Sequence, residues 1–201
     1  MFNNWYNIET RPTGQHKSVV PTAQIDWELR ALVDVYSLAS PQYVLEIGTQ
    51  YGGTLFQWME YAAPDATIVS IDTGPDTWRP PSDFNTDIWY TWAAEFGVSF
   101  RRMVANSHDK QTLEHVRDII PHIDFLFIDG DHTYRGARKD FVMYGPLVRP
   151  GGIIAFHDLI TPDFSPHIQI IKLWREIQAA GYKTRELRAN AGYGGIGVVY
   201  V

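Results

Sequence analysis

The sequence predicts an α/β protein with a Rossmann-like, doubly wound sheet of seven strands, mostly parallel, with helices on both faces. Short apolar runs alternate along the chain with amphipathic helical patterns, and this order is typical of a parallel sheet. The last two runs are joined by the short link AGYGG. A parallel return would need a crossover of a dozen or more residues, so these two strands must form a C-terminal antiparallel hairpin.

Helices are predicted where apolar residues recur every three or four positions and a breaker follows. The first helix begins at Pro21, with Thr22 as a candidate N-cap, and Pro41 ends it. Gly181 closes the last one. The predicted helices cover about 21–40, 54–62, 110–120, 134–147 and 165–180, with a further helical pattern at the end of 73–96.

Strands are predicted at short apolar runs that end at glycine, aspartate or histidine, as expected for strands buried on both faces. In chain order they are Tyr43–Ile47, Thr67–Asp72, Val98–Ala105, Asp124–Asp129, Ile153–His157, Tyr182–Leu187 and Ile196–Val201.

The pattern predicts one main domain, residues 21–201, preceded by an N-terminal arm over 1–20. Residues 73–96 form a tryptophan-rich insert that contains Trp78, Trp89 and Trp92. Aromatic side chains of this kind suit a lid over a flat or sugar-bearing ligand. The same side chains would equally suit packing inside a lid or at a dimer surface, so both interpretations stay open.

Composition excludes several classes of function. With a net charge of -6, the chain lacks the cationic field that general nucleic-acid binding requires. It has no cysteine, which excludes disulfides, thiolate metal sites and cysteine nucleophiles. Neither a signal peptide nor an apolar run long enough for a membrane span is found. We therefore expect a cytoplasmic protein without nucleic-acid or membrane partners, and its oligomeric state stays open.

The turn after the first strand and the acid after the second suggest a nucleoside ligand. Glycines at 48, 52 and 53 allow a tight turn into a helix N-terminus, where free N–H groups favour a carboxylate or phosphate. Asp72 ends the second strand, where an acid can accept hydrogen bonds from ribose hydroxyls. The spacing differs from the G-x-G-x-x-G dinucleotide fingerprint, which argues against an NAD-binding oxidoreductase. A plain tight turn with a surface aspartate is the alternative.

Acids and histidines follow the fourth and fifth strands. Asp129, Asp131 and His132 come after one strand, and His157 and Asp158 end the other. Carboxylates 4 Å apart repel by roughly 4 kcal/mol at an effective dielectric of 20, so the group needs a cation, a shared proton or wide separation. Oxygen ligands suit Mg²⁺, and a histidine shifts the preference towards Mn²⁺, Fe²⁺ or Zn²⁺. The alternative is that the acids cap the next helix and His157 is a satisfied buried histidine.

Four features together resemble the class I S-adenosylmethionine (SAM)-dependent methyltransferases. They are VLEIGTQYGGT (44–54), Asp72, FIDGDHTYRGARKDF (127–141) and LVRPGGIIAFHD (147–158). The most similar branch is the small metal-assisted O-methyltransferases, which include catechol-type, sugar and macrolide enzymes and the cephalosporin-methoxylation proteins. The resemblance covers about residues 22–201. It implies methyl transfer from SAM to a hydroxyl of a small molecule such as a natural product, sugar or catechol, with a divalent metal.

The resemblance also implies a role for individual residues. Asp129, His157 and Asp158 would hold the metal, although His157 stands where relatives usually carry an oxygen ligand. Asp131 or His132 would take the proton of the acceptor. The residues expected to bind the cofactor are Glu46, Gly48, Gly52, Thr54, Asp72, Ser107, His108 and Asp129.

Other functions remain as alternatives. Within the methyltransferases, these are a metal-independent enzyme and one that methylates nitrogen. Outside them, the chain could be a non-catalytic SAM-fold scaffold or binding protein. Nucleic-acid methylation is disfavoured by the net charge and by the absence of an Asn-Pro-Pro-Tyr-type motif.

Overall fold

A computed structural model of the chain describes residues 22, 24–74, 85–189 and 192–201. Within these residues, the helices are α1 (Asp26–Ala39), α2 (Gly53–Tyr61), α3 (Ile88–Phe96), α4 (Lys110–Ile119), α5 (Tyr134–Tyr144) and α6 (Ile170–Ala179). The strands are β1 (Tyr43–Ile47), β2 (Thr67–Asp72), β3 (Ser99–Val104), β4 (Ile123–Ile128), β5 (Val148–Phe156), β6 (Lys183–Leu187) and β7 (Ile196–Tyr200).

The seven strands form one sheet in the order β3-β2-β1-β4-β5-β7-β6. The first five strands in this order, β3 to β5, pair with one another in parallel, whereas β7 pairs antiparallel with both β5 and β6. The predicted fold is therefore confirmed, including the C-terminal hairpin. The parallel strands all present their carboxyl ends at the same edge of the sheet, where Asp72, Asp129 and His157 follow.

Two apolar cores lie on opposite faces of the sheet because successive strand residues point to opposite sides. On one face, α1, α2 and α3 pack on side chains that include Val44 and Phe125. On the other face, α5 and α6 pack on side chains that include Leu45 and Leu126. None of the helices that the structure describes has both the length and the apolar character needed to cross a bilayer.

The structure corrects three predicted boundaries. Thr22 is not the N-cap of α1, because that helix begins at Asp26 and the Thr22 hydroxyl contacts the side chain of Gln24 instead. The last long helix begins at Ile170 rather than at residue 165, because the Gln169 N–H donates to the His132 carbonyl at 2.8 Å. β5 begins at Val148, and a shift in its pairing with β4 accommodates the Pro-Gly-Gly segment.

The insert is described only in part. Trp89 and Trp92 are buried, and Trp92 packs edge-on against Phe56 of α2 at 5.1 Å between ring centroids. These two tryptophans therefore belong to the core beside β1–β3. Trp78 and the predicted arm over residues 1–20 lie outside the described residues.

Candidate active site

A cavity of about 590 Å³ opens at the carboxyl ends of the parallel strands. The segments that follow β1 to β5 all contribute to its wall. Open α/β sheets bind ligands at this edge, where the direction of the crossovers reverses. In this sheet, the reversal falls between β1 and β4. The cavity therefore lies where the fold favours ligand binding.

The turn after β1 is held by the acid at the end of β2. One Asp72 oxygen, Oδ2, accepts the N–H groups of Thr49 at 2.8 Å and Gln50 at 3.1 Å. The other oxygen, Oδ1, accepts the N–H of Gly74 at 2.7 Å. Asp72 also lines the cavity. Its carboxylate therefore fixes the shape of the turn as well as facing the ligand space.

Two glycines in this turn are required by neighbouring protein groups. Gly48 has a φ of +88°, and a Cβ there would lie 2.1 Å from the carbonyl oxygen of Asp129. Gly52 has a φ of +81°, and a Cβ there would lie 2.5 Å from Nε1 of Trp89. The first glycine lets the ends of β1 and β4 come together. The second admits a tryptophan from α3.

Asp129, His132, His157 and Asp158 form a group that we call the acid–histidine cluster. His132 Nδ1 lies 3.0 Å from Asp158 Oδ2, and His132 Nε2 lies 3.5 Å from Asp129 Oδ1. His157 Nδ1 lies 3.3 Å from Oδ1 of both aspartates. One ligand atom each from Asp129, His132 and Asp158 lie within 4.8 Å of one another, a spacing that fits a single metal ion.

The histidines supply positive charge between the two carboxylates. Burial lowers the pKa of His132, but its contacts with Asp129 and Asp158 raise that pKa to about 9 overall. Burial likewise lowers the pKa of His157, and the same carboxylates raise it well above its usual value. Burial raises the pKa of Asp129, but His157 and His132 bring it well below its usual value. A bound cation would compete with the histidine protons for the carboxylate oxygens.

Asp158 has a left-handed backbone conformation, with a φ of +61°, that few residues other than glycine adopt. The segment after Asp158 is held by two hydrogen bonds that both involve Gly195. The Leu159 N–H donates to the Gly195 carbonyl at 3.1 Å, and the Gly195 N–H donates to Oε2 of the buried Glu28 at 2.8 Å. Glu28 thus ties α1 to the chain beside Asp158. Backbone strain of this kind is concentrated at functional sites.

A residue before α1 reaches the cluster from a distant part of the sequence. Gln24 Nε2 donates to Asp129 Oδ2 at 2.6 Å. The Thr22 hydroxyl contacts Gln24 Oε1, which leaves the amide nitrogen of Gln24 facing Asp129. Both residues are buried in the cavity wall. Gln24 therefore occupies one carboxylate oxygen of Asp129, and the histidines contact the other.

A comparison with protein families decides the class of the chain. Residues 45–159, more than half of the chain, match the family described as "Methyltransferase domain". The chain belongs to this family. The predicted membership of the methyltransferases is thereby confirmed.

This methyltransferase resembles an uncharacterised protein of Acanthamoeba polyphaga mimivirus, with 40% identity over 70 residues. That match covers 33% of the chain and 32% of the viral protein. The chain spans about a third or less of the length of the curated relatives it matches.

Solved methyltransferase structures share the fold. The O-methyltransferase from Bacillus cereus, in complex with S-adenosylhomocysteine (SAH), has a TM-score of 0.63 and 21% identity, over 90% of this chain and 84% of that chain. The O-methyltransferase TomG from Streptomyces achromogenes, in complex with SAM, has a TM-score of 0.63 and 20% identity, over 87% and 79%. At this level of identity, the likeness concerns the fold.

The structure brings most of the predicted site residues of this methyltransferase to one cavity. Those in its wall are Gly48, Thr54, Asp72, Ser107, His108, Asp129, Asp131, His132, His157 and Asp158. Gly52 lies against Trp89, and Glu46 lies behind the wall, where its Oε1 accepts the Thr54 hydroxyl at 2.6 Å. Asp131 accepts the N–H of Thr133 at 2.9 Å, at the start of α5. The N-cap of α5 is Thr133, whose hydroxyl accepts the Gly136 N–H at 3.1 Å, so Asp131 supports the residue that caps the helix and does not cap it.

Sequence reasoning missed Gln24 and Glu28. Gln24 is 105 positions from the aspartate it contacts, and Glu28 is 167 positions from Gly195. Their pairings follow from the docking of α1, which no local pattern specifies. The one available signal was a polar residue on an otherwise apolar helix face, as at Glu28.

Glu46 should make the stability of this methyltransferase depend on pH. Burial raises its pKa to about 8, even though Thr54 and Trp58 donate hydrogen bonds to Oε1. In the unfolded chain its pKa is about 4.3. The contribution of protonated Glu46 to the free energy of unfolding is therefore fully present below pH ~4.3. It is lost as the pH rises to about 8.

We expect Glu46→Gln to remove this pH dependence, because glutamine resembles the protonated acid. The gain over wild type should reach several kcal/mol, on the order of 1.4 kcal/mol per pH unit between the two pKa values. Urea unfolding at pH 5, 7 and 9 measures it. Glu114→Gln, on the exposed face of α4, is the control and should follow wild type at every pH. The prediction would be contradicted if the free energy of unfolding changed with pH in the same way in Glu46→Gln and in wild type.

Proposed function

We propose that this methyltransferase moves a methyl group from SAM to a hydroxyl group of a small molecule, with a divalent cation assisting. One observation carries the proposal: a single cavity joins the glycine turn and Asp72 to the acid–histidine cluster. The B. cereus and S. achromogenes proteins, described as complexes with SAH and SAM, share the fold that surrounds this cavity.

The order of the strands supports one orientation of the ligand. The acid–histidine cluster follows β4 and β5, whereas Asp72 and the segment 105–108 follow β2 and β3, on the other side of β1. A sulfonium and an ammonium group are favoured beside acids, and ribose hydroxyls beside Asp72. In the proposal, the nucleoside therefore lies over β2 and β3, and the methyl group faces the cluster.

The donor set fits a divalent cation. Asp129 and Asp158 offer carboxylate oxygens, and His157 Nδ1, which lies 3.3 Å from Oδ1 of both, offers an imidazole nitrogen, so that His132 is left to act as a base. Two carboxylates with imidazole suit Mn²⁺, Fe²⁺ or Zn²⁺ as well as Mg²⁺. Such an ion, when bound, would lower the pKa of the acceptor hydroxyl.

His132 is the proposed proton acceptor, in preference to Asp131. Its Nδ1 is oriented by Asp158 at 3.0 Å, and its Nε2 makes only longer contacts of 3.4 and 3.5 Å with Asp129. SAM supplies a methyl group that forms a bond to the acceptor oxygen as its bond to sulfur breaks. His132 would take the hydroxyl proton, and the cavity wall would hold the acceptor in line.

The size of the cavity supports a small molecule as the methyl acceptor. The cavity volume of about 590 Å³ is in the range of small-molecule sites. A net charge of -6 opposes a nucleic-acid acceptor.

Calorimetric titration with SAH, with Mg²⁺ and again after EDTA, tests the proposal, with NAD as control. We expect micromolar binding of SAH and none of NAD, followed by methyl transfer to hydroxylated acceptors in a screen. Binding of NAD alone would favour an oxidoreductase. If neither molecule binds, the cavity serves another ligand and the non-catalytic alternative takes precedence.

A metal-independent enzyme is the second candidate, because His132 and His157 already contact the carboxylates of Asp129 and Asp158 at the place a metal would occupy. The two mechanisms differ in their response to EDTA. Full activity after EDTA treatment would select the metal-independent mechanism. Loss of activity that Mg²⁺ or Mn²⁺ restores would select the metal-assisted one.

Asp72→Ala should weaken SAH binding by about 10- to 100-fold, the effect of losing a charged hydrogen-bonding partner. It should also lower stability by about 2–4 kcal/mol, because three backbone N–H groups lose their acceptor. Calorimetry and urea unfolding measure the two effects separately.

Asp124→Ala is the matched control. Asp124 lies at the other edge of the sheet, where one oxygen accepts the N–H groups of Gln42 and Tyr43, both at 2.8 Å. We expect a similar loss of stability and unchanged SAH affinity of the folded protein. If Asp72→Ala and Asp124→Ala bind SAH with equal affinity, Asp72 does not take part in SAH binding.

A further inference from the structure

The glutamine just before α1 has no part in the mechanism above, although it contacts the acid–histidine cluster. Gln24 is buried in the cavity wall, and its Nε2 donates to Asp129 Oδ2 at 2.6 Å. Hydrogen bonds to an ionised acceptor are short and strong in this way. A buried amide that lost this partner would carry the full cost of its desolvation, so the contact holds both side chains in place.

Thr22 determines which end of the Gln24 amide faces Asp129. The Gln24 backbone N–H donates to the Thr22 hydroxyl oxygen at 3.3 Å, and the hydroxyl itself donates to Gln24 Oε1. If the amide were turned round, Oε1 would face the carboxylate, and two acceptors would meet. The observed orientation is therefore the one that satisfies the hydroxyl, the amide and the carboxylate together.

The two carboxylate oxygens of Asp129 have different partners. Within the described residues, Oδ2 contacts Gln24, whereas Oδ1 lies 3.3 Å from His157 Nδ1 and 3.5 Å from His132 Nε2. The last torsion of an aspartate side chain is broad, so the carboxylate turns unless a partner holds it. Both histidine distances exceed the usual range of a hydrogen bond. The shorter contact with Gln24 is therefore the one that sets the rotation of the carboxylate.

We propose that Gln24, oriented by Thr22, is a positioning residue that fixes the Asp129 carboxylate with one oxygen towards the histidines. The inference rests on the proposed function, in which methyl transfer takes place beside the cluster. An amide orients a carboxylate without cancelling its charge, whereas a lysine or arginine would form an ion pair with it. The start of α1 is itself held, because Glu28, one helical turn further on, accepts the Gly195 N–H at 2.8 Å.

The test measures kcat, the KM for SAM and the dissociation constant of SAH, with an acceptor found by screening. Gln24→Met keeps the length of the side chain and loses its N–H donor. We expect kcat to fall about 10- to 100-fold, as when an outer partner that orients a functional side chain is lost. The KM for SAM and the SAH dissociation constant should stay within about threefold of wild type, because the charge of Asp129 is unchanged.

Two further variants show whether the effect belongs to this contact. Thr22→Val keeps the shape of the side chain but loses the hydroxyl, so the amide of Gln24 can turn, and kcat should fall by a smaller factor. Gln57→Met is the matched control. Gln57 is a second buried glutamine, on α2 and outside the cavity wall, and its variant should keep wild-type values.

A second readout does not depend on any ligand. In ¹H–¹⁵N spectra of the free protein, one side-chain amide proton of Gln24 should be shifted downfield by its bond to Asp129, and Asp129→Asn should reduce that shift. If the shift is absent, the contact does not form and the inference is overturned.

The kinetic outcomes separate the inference from the proposed function. Wild-type kcat in Gln24→Met would overturn the inference, as would an equal fall of kcat in Gln57→Met. A raised KM for SAM at unchanged kcat would also overturn it, because Gln24 would then act in cofactor binding. A wild type that neither binds SAH nor transfers a methyl group overturns the proposed function, and the inference with it. If Gln24→Met does not fold, Thr22→Val and the amide proton shift decide.

Discussion

Replacing His132 with glutamine should slow methyl transfer by about 10²- to 10⁴-fold, the usual effect of losing a general base. Glutamine retains a polar side chain of similar length but does not take up a proton. In wild type, Asp158 orients the imidazole ring, with its Oδ2 3.0 Å from His132 Nδ1. We therefore expect the rate to fall because proton transfer is lost and not because the cavity changes shape. Initial rates with an acceptor found by screening measure the change, and SAH calorimetry shows whether cofactor binding is intact.

The pH profile separates a base from a merely structural histidine. With its pKa raised to about 9, His132 is protonated at neutral pH and must lose that proton before it can act. The wild-type rate should therefore rise about tenfold per pH unit and level off near pH 9. A bound cation repels the imidazolium, so Mg²⁺ should move this rise to lower pH.

The control for His132→Gln is His115→Gln, on the exposed face of α4, which should keep both rate and profile. In His132→Gln the rise with pH should be absent. If the rise persists in that variant, the proton is taken by another group. Asp131 would then be the next candidate, although its carboxylate accepts the Thr133 N–H at the start of α5.

The fold could be predicted because its determinants are local. The buried strands β1, β2 and β4 are short, mostly apolar runs, and their ends are marked by glycine or aspartate. Parallel strands share one carboxyl edge, so acids at those ends must approach one another. Provided that β4 and β5 are neighbours, this geometry predicts that Asp129, Asp131 and Asp158 converge with two histidines. The strands do pair, and Asp129 and Asp158 meet around His132 and His157, whereas Asp131 is turned to the Thr133 N–H.

The remaining features of the site depend on tertiary contacts. Gln24 reaches Asp129 only because α1 docks across the sheet, and Asp140 faces His108 only because α5 packs beside the segment after β3. The sequence also predicted that Gly48 serves close approach to a ligand. The structure shows a nearer reason, since the neighbouring strand end is in contact at this position. Glycine requirements of this kind are visible only when both strands are in place.

Gly48→Ala should be strongly destabilising because of this strand contact. The left-handed φ of +88° costs alanine about 1–2 kcal/mol. The added methyl group would also lie 2.1 Å from the Asp129 carbonyl oxygen, a backbone atom that side-chain rotation cannot move. Overpacking adds about 1–3 kcal/mol or more. Together the two contributions lower the free energy of unfolding by about 2–5 kcal/mol, a large share of the typical 5–15 kcal/mol.

Gly97→Ala separates the two contributions. Gly97 ends α3 with a φ of +68°, and nothing lies within 4 Å of a Cβ built there. It therefore carries the backbone cost without the clash, and urea unfolding should show a loss of about 1–2 kcal/mol. The excess loss in Gly48→Ala measures how firmly the ends of β1 and β4 are held together. If the two variants lose equal stability, the ends separate easily, and the position of Asp129 beside the cavity then depends on the histidines and Gln24 rather than on the sheet.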